Sequence, residues 1–192
     1  LELWNCFKAL VLKEDLQSVV ELELNVLPLL IDMTWRGVRV DTERVERTRD
    51  YLLKEEKQVY SKIKSLTDVN VEVWAAASLA KAFDSVSLPY PKTEKGAPSF
   101  TKAFLAEHTH ELPKLILRCR ELNKTHGTFI STIMKYTTPQ GRLHSHINQI
   151  RSDDGGTVSG RISMNHPNLQ QIPARDPQLG PMIRSLFLPE EG

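Results

Sequence analysis

Long apolar runs are missing from this 192-residue chain. Its most apolar stretch, Val26 to Met33, is short and holds both Pro28 and Asp32, so no segment approaches the roughly 20 residues needed to cross a bilayer. No signal-peptide pattern opens the chain. Cysteine is scarce: Cys6 and Cys119 lie far apart with no CxxC spacing, which excludes a secreted disulfide framework and reads as two structural, buried thiols in a reducing compartment. An excess of one charge is also missing, because the formal net charge of +1 does not by itself announce a polyanion partner. Metal-ligand spacing is absent as well. His144 and His146 fall on one side of an expected strand without a third ligand nearby, and Asp153-Asp154-Gly-Gly reads as a turn. The basic loop Lys92 to Ser99 lacks the G-x-x-x-x-G-K spacing of a nucleotide cradle and reads as a surface loop.

With 40% hydrophobic and 26% charged residues the chain has enough material for one or two packed domains. Its charge is unevenly placed. Residues 112–175 hold nine Lys or Arg against three acids, +6, which leaves −5 for the rest and fits a protein that lays one face on phosphates.

Leu1, Trp4, Phe7, Leu10 and Val11 recur at helical spacing with no N-cap ahead of them, so the chain is expected to open inside a helix. Ser18 to Glu21 has capping-box spacing, and Val20, Leu24, Leu27 and Ile31 continue an apolar face to a stop at Gly37. Pro28 is expected to kink or split that helix. After an extended link at Val38–Val40, Asp41 can cap a long helix to about Leu66, with Val45, Leu52, Val59 and Leu66 seven apart. The two together suggest a long antiparallel hairpin of helices, its mixed charges a solvated face. Further helices are expected at Trp74 to Phe83 and Glu111 to about Lys124, with Gly127 interrupting before a short piece to Met134. Strands are expected over Arg142 to Ile150 and Met182 to Leu188.

The stretch Thr157 to Arg175 stands apart from these core-building segments. Gly160 permits close backbone approach, Arg161 offers a rigid donor fork, and Asn168, Gln170 and Gln171 each carry a donor and an acceptor. Pro167 and Pro173 point to a defined loop with short extended pieces.

Thr157-Val-Ser-Gly-Arg161-Ile-Ser, Pro167-Asn-Leu-Gln170 and Ile172-Pro173-x-Arg175 closely resemble the T-x-T-G-R-x-S…P-N-L-Q-x-I-P-x-R segment of family A DNA polymerases, the bacterial polymerase I type. Arg36-Gly37-Val38-x-Val40-Asp41, Lys92-Thr-x-Lys95-Gly-Ala-Pro-Ser99 and Arg120-Glu-Leu-x-Lys124-x-x-x-Thr128-Phe129 resemble further family patterns. Asn70-Val-Glu-Val departs from the family's N-x-x-S-x-x-Q-L. The match is strong at 142–188, fair at 18–41 and 92–130, and includes a faintly phage-like Asp153-Asp-Gly-Gly.

The resemblance implies a mainly α fold with a small antiparallel β element: 1–17 the end of an exonuclease-like domain, 18–140 a helical thumb, and 141–192 the start of a palm. It implies template-dependent deoxynucleotidyl transfer onto primer-template DNA from deoxynucleoside triphosphates, in the cytoplasm of a bacterium or phage-infected cell. Two Mg²⁺ ions would activate the primer 3′-hydroxyl and stabilise the departing pyrophosphate, but the family's catalytic carboxylates and fingers are expected beyond Gly192. This piece is therefore expected to bind DNA and not to polymerise. By the same resemblance the DNA-binding residues are Thr157, Ser159, Gly160, Arg161, Asn168, Gln170, Gln171 and Arg175, with Lys124 and Thr128 as phosphate contacts. Arg161 is the expected minor-groove reader at the primer end, where purine N3 and pyrimidine O2 accept in every Watson–Crick pair. A structural clamp is the other reading of Arg161. A non-catalytic duplex-binding module and an RNA-synthesising relative are the other readings of the chain.

Overall fold

The computed structural model describes residues 2–153, 155–173 and 176–190. Its centre is a pair of antiparallel helices far apart in sequence. Asp41 caps α3 (Thr42–Thr67) by accepting from the Arg44 amide at 2.9 Å. Val45, Thr48, Leu52, Glu56, Val59 and Ile63 on α3 are buried at three- and four-residue steps. They pack chiefly against α6 (Glu111–Lys124), whose Leu112, Ile116, Cys119 and Leu122 are buried. Glu56 meets Asn123 while Tyr60 lies by Cys119, so the helices run in opposite directions. The expected hairpin of successive helices is therefore replaced by a long-range pair: α3 packs on α6 and not on the helix before it. Leu66 is only half-buried; Thr67 is buried in its place.

Between them α4 (Ala76–Ser85) supplies Leu79 and Phe83, and Phe100 packs against Phe83 at 4.8 Å between ring centroids. A short helix that the sequence reading had not marked, α5 (Lys102–Glu107), is capped by Thr101. Gly127 does not interrupt α6. The chain continues through a π-helical turn, Thr125–Ile130, into α7 (Ser131–Tyr136). Thr125 and Ile130 are both buried though five residues apart, a step too long for an α-helix and accommodated by the wider π turn.

The first two helices differ. In α1 (Glu2–Lys13) no residue is buried, and Cys6 is exposed, contrary to the expectation of two buried thiols. In α2 (Gln17–Arg36) only Leu30 is buried. Ser18 does not cap α2, which starts one residue earlier behind Leu16, and Pro28 neither splits nor ends it. Gly37 ends it as expected, at φ +64°, where a Cβ would sit 2.7 Å from the His144 ring. None of the described helices is long and apolar enough to cross a membrane.

Two small antiparallel sheets follow. β1 (Val38–Val40) is central between β2 (Arg142–Leu143) and β5 (Phe187–Leu188), with Arg39 opposite both Arg142 and Leu188. β3 (His146–Asn148) pairs with β4 (Ser163–Asn165), Ile147 opposite Met164. The single strand expected over 142–150 is thus two strands in two sheets, which part at His144 and the buried Ser145. The strand expected from Met182 is half helix: α8 (Leu179–Arg184) precedes β5. Leu179, Ile183 and Leu186 are buried at helical spacing, and Asp176 accepts from the Gln178 and Leu179 amides, so packing and a cap overrule β-propensity there.

Candidate nucleic-acid interface

The loop from Thr157 to Ile172 is ordered by its own polar side chains. The Thr157 hydroxyl donates to the Arg161 carbonyl at 2.7 Å, and the Ser159 hydroxyl to Thr157 Oγ1 at 3.3 Å. Gly160 has φ +72° and nothing within 4 Å of where a Cβ would stand, so the backbone angle, not crowding, requires glycine. Arg161 follows this closed turn. It is exposed, and its side chain has no hydrogen bond or ion pair among the described residues.

Gln170 closes the other side. Its Nε2 donates to the Ile162 carbonyl at 3.0 Å and its Oε1 accepts from the Met164 amide at 3.2 Å, so both ends brace the loop backbone. Asn168 Oδ1 accepts from the Gln170 amide, starting a 3₁₀ turn over Leu169–Gln171, while the Asn168 amide nitrogen has no partner among the described residues. The His166–Pro167 peptide is cis and Pro167 is buried. Arg175 and Asp154 lie outside the described residues; Asp153 is exposed in the expected turn, which Ser152 and Gly155 close with backbone hydrogen bonds.

The π-helical turn faces this loop. A groove of about 240 Å³ has Thr128, Thr132 and Tyr136 on one wall and Asn168, Leu169 and Gln171 on the other. Thr128 and Gln171, 43 positions apart in sequence, thereby share one surface. Lys124, at the start of the same turn, is exposed and has no ion-pair partner among the described residues, unlike Arg118, which lies 3.9 Å from Glu121. Hydroxyls and amides line the groove, and two exposed cations, Lys124 and Arg161, belong to the chain segments on either side of it, donor types suited to phosphate and base-edge acceptors. A larger and mainly apolar cavity of about 490 Å³ lies between α2 and β3, lined by Leu27, Leu30, Ile31, Trp35 and Ile147 together with Thr34, His144 and Gln149.

Beneath the turn lies a polar cluster around the buried Glu56 that the sequence reading missed. Glu56 Oε1 accepts from Asn123 Nδ2 at 2.9 Å, and Glu56 Oε2 lies 2.8 Å from His126 Nε2. Asn123 Oδ1 accepts from the Trp74 indole at 2.8 Å, and Arg120 stacks 5.2 Å from the Trp74 ring centroid while donating to the Val73 and Phe100 carbonyls. Burial lowers the Arg120 pKa from its ordinary value. Burial also pushes the neighbouring Cys119 thiol up to about 11 and, with the Cys119 contact and the Glu56 charge, raises the Tyr60 hydroxyl, so neither is a ready nucleophile. One clue was present: Glu56 stands at a stripe position between Leu52 and Val59.

No group of three or more His, Cys, Asp or Glu among the described residues could hold a metal ion. His144 turns its Nδ1 to the Thr34 carbonyl at 3.0 Å, and His146 is exposed with its ring 5.4 Å from that of His166. Gln149 donates to the Glu23 carbonyl at 2.7 Å and so ties the end of β3 to α2.

This arrangement has relatives. The chain is 35% identical over 190 residues to the DNA-directed DNA polymerase of Pseudomonas phage M6, covering 94% of this chain and 28% of that protein. It is 32% identical over 210 residues to the DNA polymerase DpoZ of Acinetobacter phage SH-Ab 15497, covering 100% of this chain and 34% of that one. It is 33% identical over 183 residues to DNA polymerase I of Geobacillus stearothermophilus, covering 93% and 20%. The chain thus spans about a third or less of the length of these relatives. Its fold matches the POL domain of Pol1 from M. smegmatis, solved with DNA primer-template and dNTP, at a TM-score of 0.71 and 24% identity, over 88% of this chain and 30% of that one. The family model described as DNA polymerase family A matches residues 42–192, and the chain belongs to that family.

Proposed function

We propose that this chain is the thumb and the beginning of the palm of a DNA-directed DNA polymerase, and that it holds the primer-template duplex during deoxynucleotidyl transfer. The observation that carries this reading is the groove in which Thr128 of the π-helical turn meets Asn168 and Gln171 of the loop that also presents Arg161. Residues 18–140 form the thumb in this reading, 141–192 the first strands of the palm, and 1–17 the end of a preceding domain. Asn168 and Gln171 lie against the duplex, and Lys124 and Thr128 take phosphates. Thr157, Ser159, Gly160 and Gln170 hold Arg161 in position toward the minor groove, and Arg175 is a further DNA contact in this reading.

The donor set suits this role. Minor-groove acceptors are common to all four base pairs, so donors placed there sense correct pairing without reading sequence. The residues present do not fit Mg²⁺, because no carboxylate cluster stands at this surface among the described residues. We place the parent enzyme in the cytoplasm of a bacterium or a phage-infected cell, as its phage and bacterial relatives suggest.

Fluorescence anisotropy with a labelled primer-template duplex tests the reading. Binding is expected at low salt and is expected to weaken with a log–log slope of roughly −0.9 per phosphate neutralised. Absence of duplex binding at low salt would overturn it.

A further inference from the structure

We propose that Glu56 is a positioning residue for the duplex grip: through Asn123 and His126 it holds the π-helical turn in the winding that presents Lys124 and Thr128. This rests on the duplex-binding reading given above. The feature to explain is a buried acid on the apolar stripe of α3. Glu56 is 7% exposed, between Leu52 and Val59, and both its oxygens are occupied, by Asn123 and by His126. A carboxylate only accepts, so His126 Nε2 carries the proton of that contact.

The two partners straddle the onset of the wide turn. Asn123 belongs to the last turn of α6, and His126 lies inside the π-helical turn. An α-helix rotates about 100° per residue, so closing a one-residue bulge would swing everything after it by about that angle. Thr128 would leave the groove wall it shares with Asn168 and Gln171, and Ile130 would leave the core. Glu56 opposes that rewinding because it binds one residue on each side of Lys124 at fixed distances from α3. Asn123 is held in turn by the Trp74 indole, and Trp74 by Arg120, so the cluster is anchored away from the groove. Lys124, which lies between Asn123 and His126 in sequence, is left exposed and available to an external anion.

The test uses the 192-residue chain with Glu56→Gln, His126→Gln, Lys124→Ala and the Glu56→Gln/Lys124→Ala pair. Anisotropy against salt on the labelled duplex is the first measurement. Lys124→Ala should reduce the salt slope by roughly 0.9, one phosphate contact. Glu56→Gln should reduce it by a similar amount, and the pair no further, since both remove the same contact. A wild-type slope in Glu56→Gln, or reductions that add, overturns the proposal.

Hydrogen exchange is the second measurement and needs no DNA. In Glu56→Gln the amides of 125–130 should exchange roughly ten-fold faster while those of 112–119 keep their rates. Uniform acceleration along α6 would make Glu56 an ordinary core residue and defeat the proposal. If Glu56→Gln unfolds, His126→Gln gives the same two readings at a side chain that is 20% exposed. If the wild type binds no duplex, the functional reading fails, and the exchange pattern still decides whether Glu56 holds the turn.

Discussion

The α3–α6 pair and the loop 157–172 are both ordered, for opposite reasons. Between the helices Leu52, Ile63, Leu112, Ile116 and Leu122 are wholly buried, and burial of this kind has no required direction. In the loop Pro167 alone among the described residues is buried, and order comes from hydrogen bonds of Thr157, Asn168 and Gln170 to nearby backbone and of Ser159 to the Thr157 hydroxyl. A loop built this way keeps its shape while its outward donors stay in water. That is what a surface needs if it is to grip a polar polymer without rearranging. Volume matters in the first region and particular atoms matter in the second.

The largest effect is expected in the core. Leu52→Ala should cost about 2–5 kcal/mol in urea denaturation, the range for a deleted buried leucine. The protein that remains folded should keep its salt slope on duplex DNA. A loss below about 1 kcal/mol would mean that this interface is not the centre of stability.

Arg161→Ala comes next, and its effect falls on function. In the polymerase of which we propose this chain is a part, primer extension should fall roughly 10- to 100-fold, as for loss of a charged hydrogen bond of about 1.5–3 kcal/mol. Thermal stability should hold, because the Arg161 side chain has no partner among the described residues. A 3-deazaguanine at the primer terminus should slow the wild type and scarcely affect the mutant. Equal harm to both proteins, or unfolding of the mutant, would return Arg161 to the role of structural clamp.

Gln170→Ala should act between these extremes. Losing two backbone braces is expected to weaken duplex binding by roughly five-fold, about 1 kcal/mol, with little change in global stability. The Met164 amide should exchange faster before any DNA is added. Unchanged exchange with weakened binding would show Gln170 touching DNA directly.

The smallest effect concerns pH. Burial raises the Cys119 thiol from 9.0 to about 11, so the folded chain holds that proton more tightly than the unfolded one. The associated stability is complete below pH 9 and is lost as pH rises through about 11. Cys119→Ala should remove that part of the decline, leaving the contribution of Tyr60, which is raised in the same sense. At neutral pH iodoacetamide should label exposed Cys6 and spare Cys119.

Much of the helical region was legible because its signals are local. Asp41, Gly37 and the stripe on α3 each act within a few residues, and each did what its chemistry predicts. Errors came where a distant partner overruled a local preference. Met182 lies in a helix because Leu179, Ile183 and Leu186 share one buried face, and residues 142–150 part at Ser145 because two different strands claim the two ends. Within the candidate site, the motif loop could be picked out from composition and order. The service of Gln170 as a brace could not, since it depends on where the Ile162 carbonyl comes to lie.

By itself the sequence determined the membership of a polymerase family, the polar loop after Thr157, the Asp41 cap and the stop at Gly37, because these depend on residue types at fixed short spacings. Tertiary structure alone decided that α3 pairs with α6, that a π-helical turn replaces a break at Gly127, and that Glu56 finds Asn123 and His126, 67 and 70 positions away. A carboxylate's partner is whichever donor packing brings within about 3 Å, and no spacing along the chain encodes that distance.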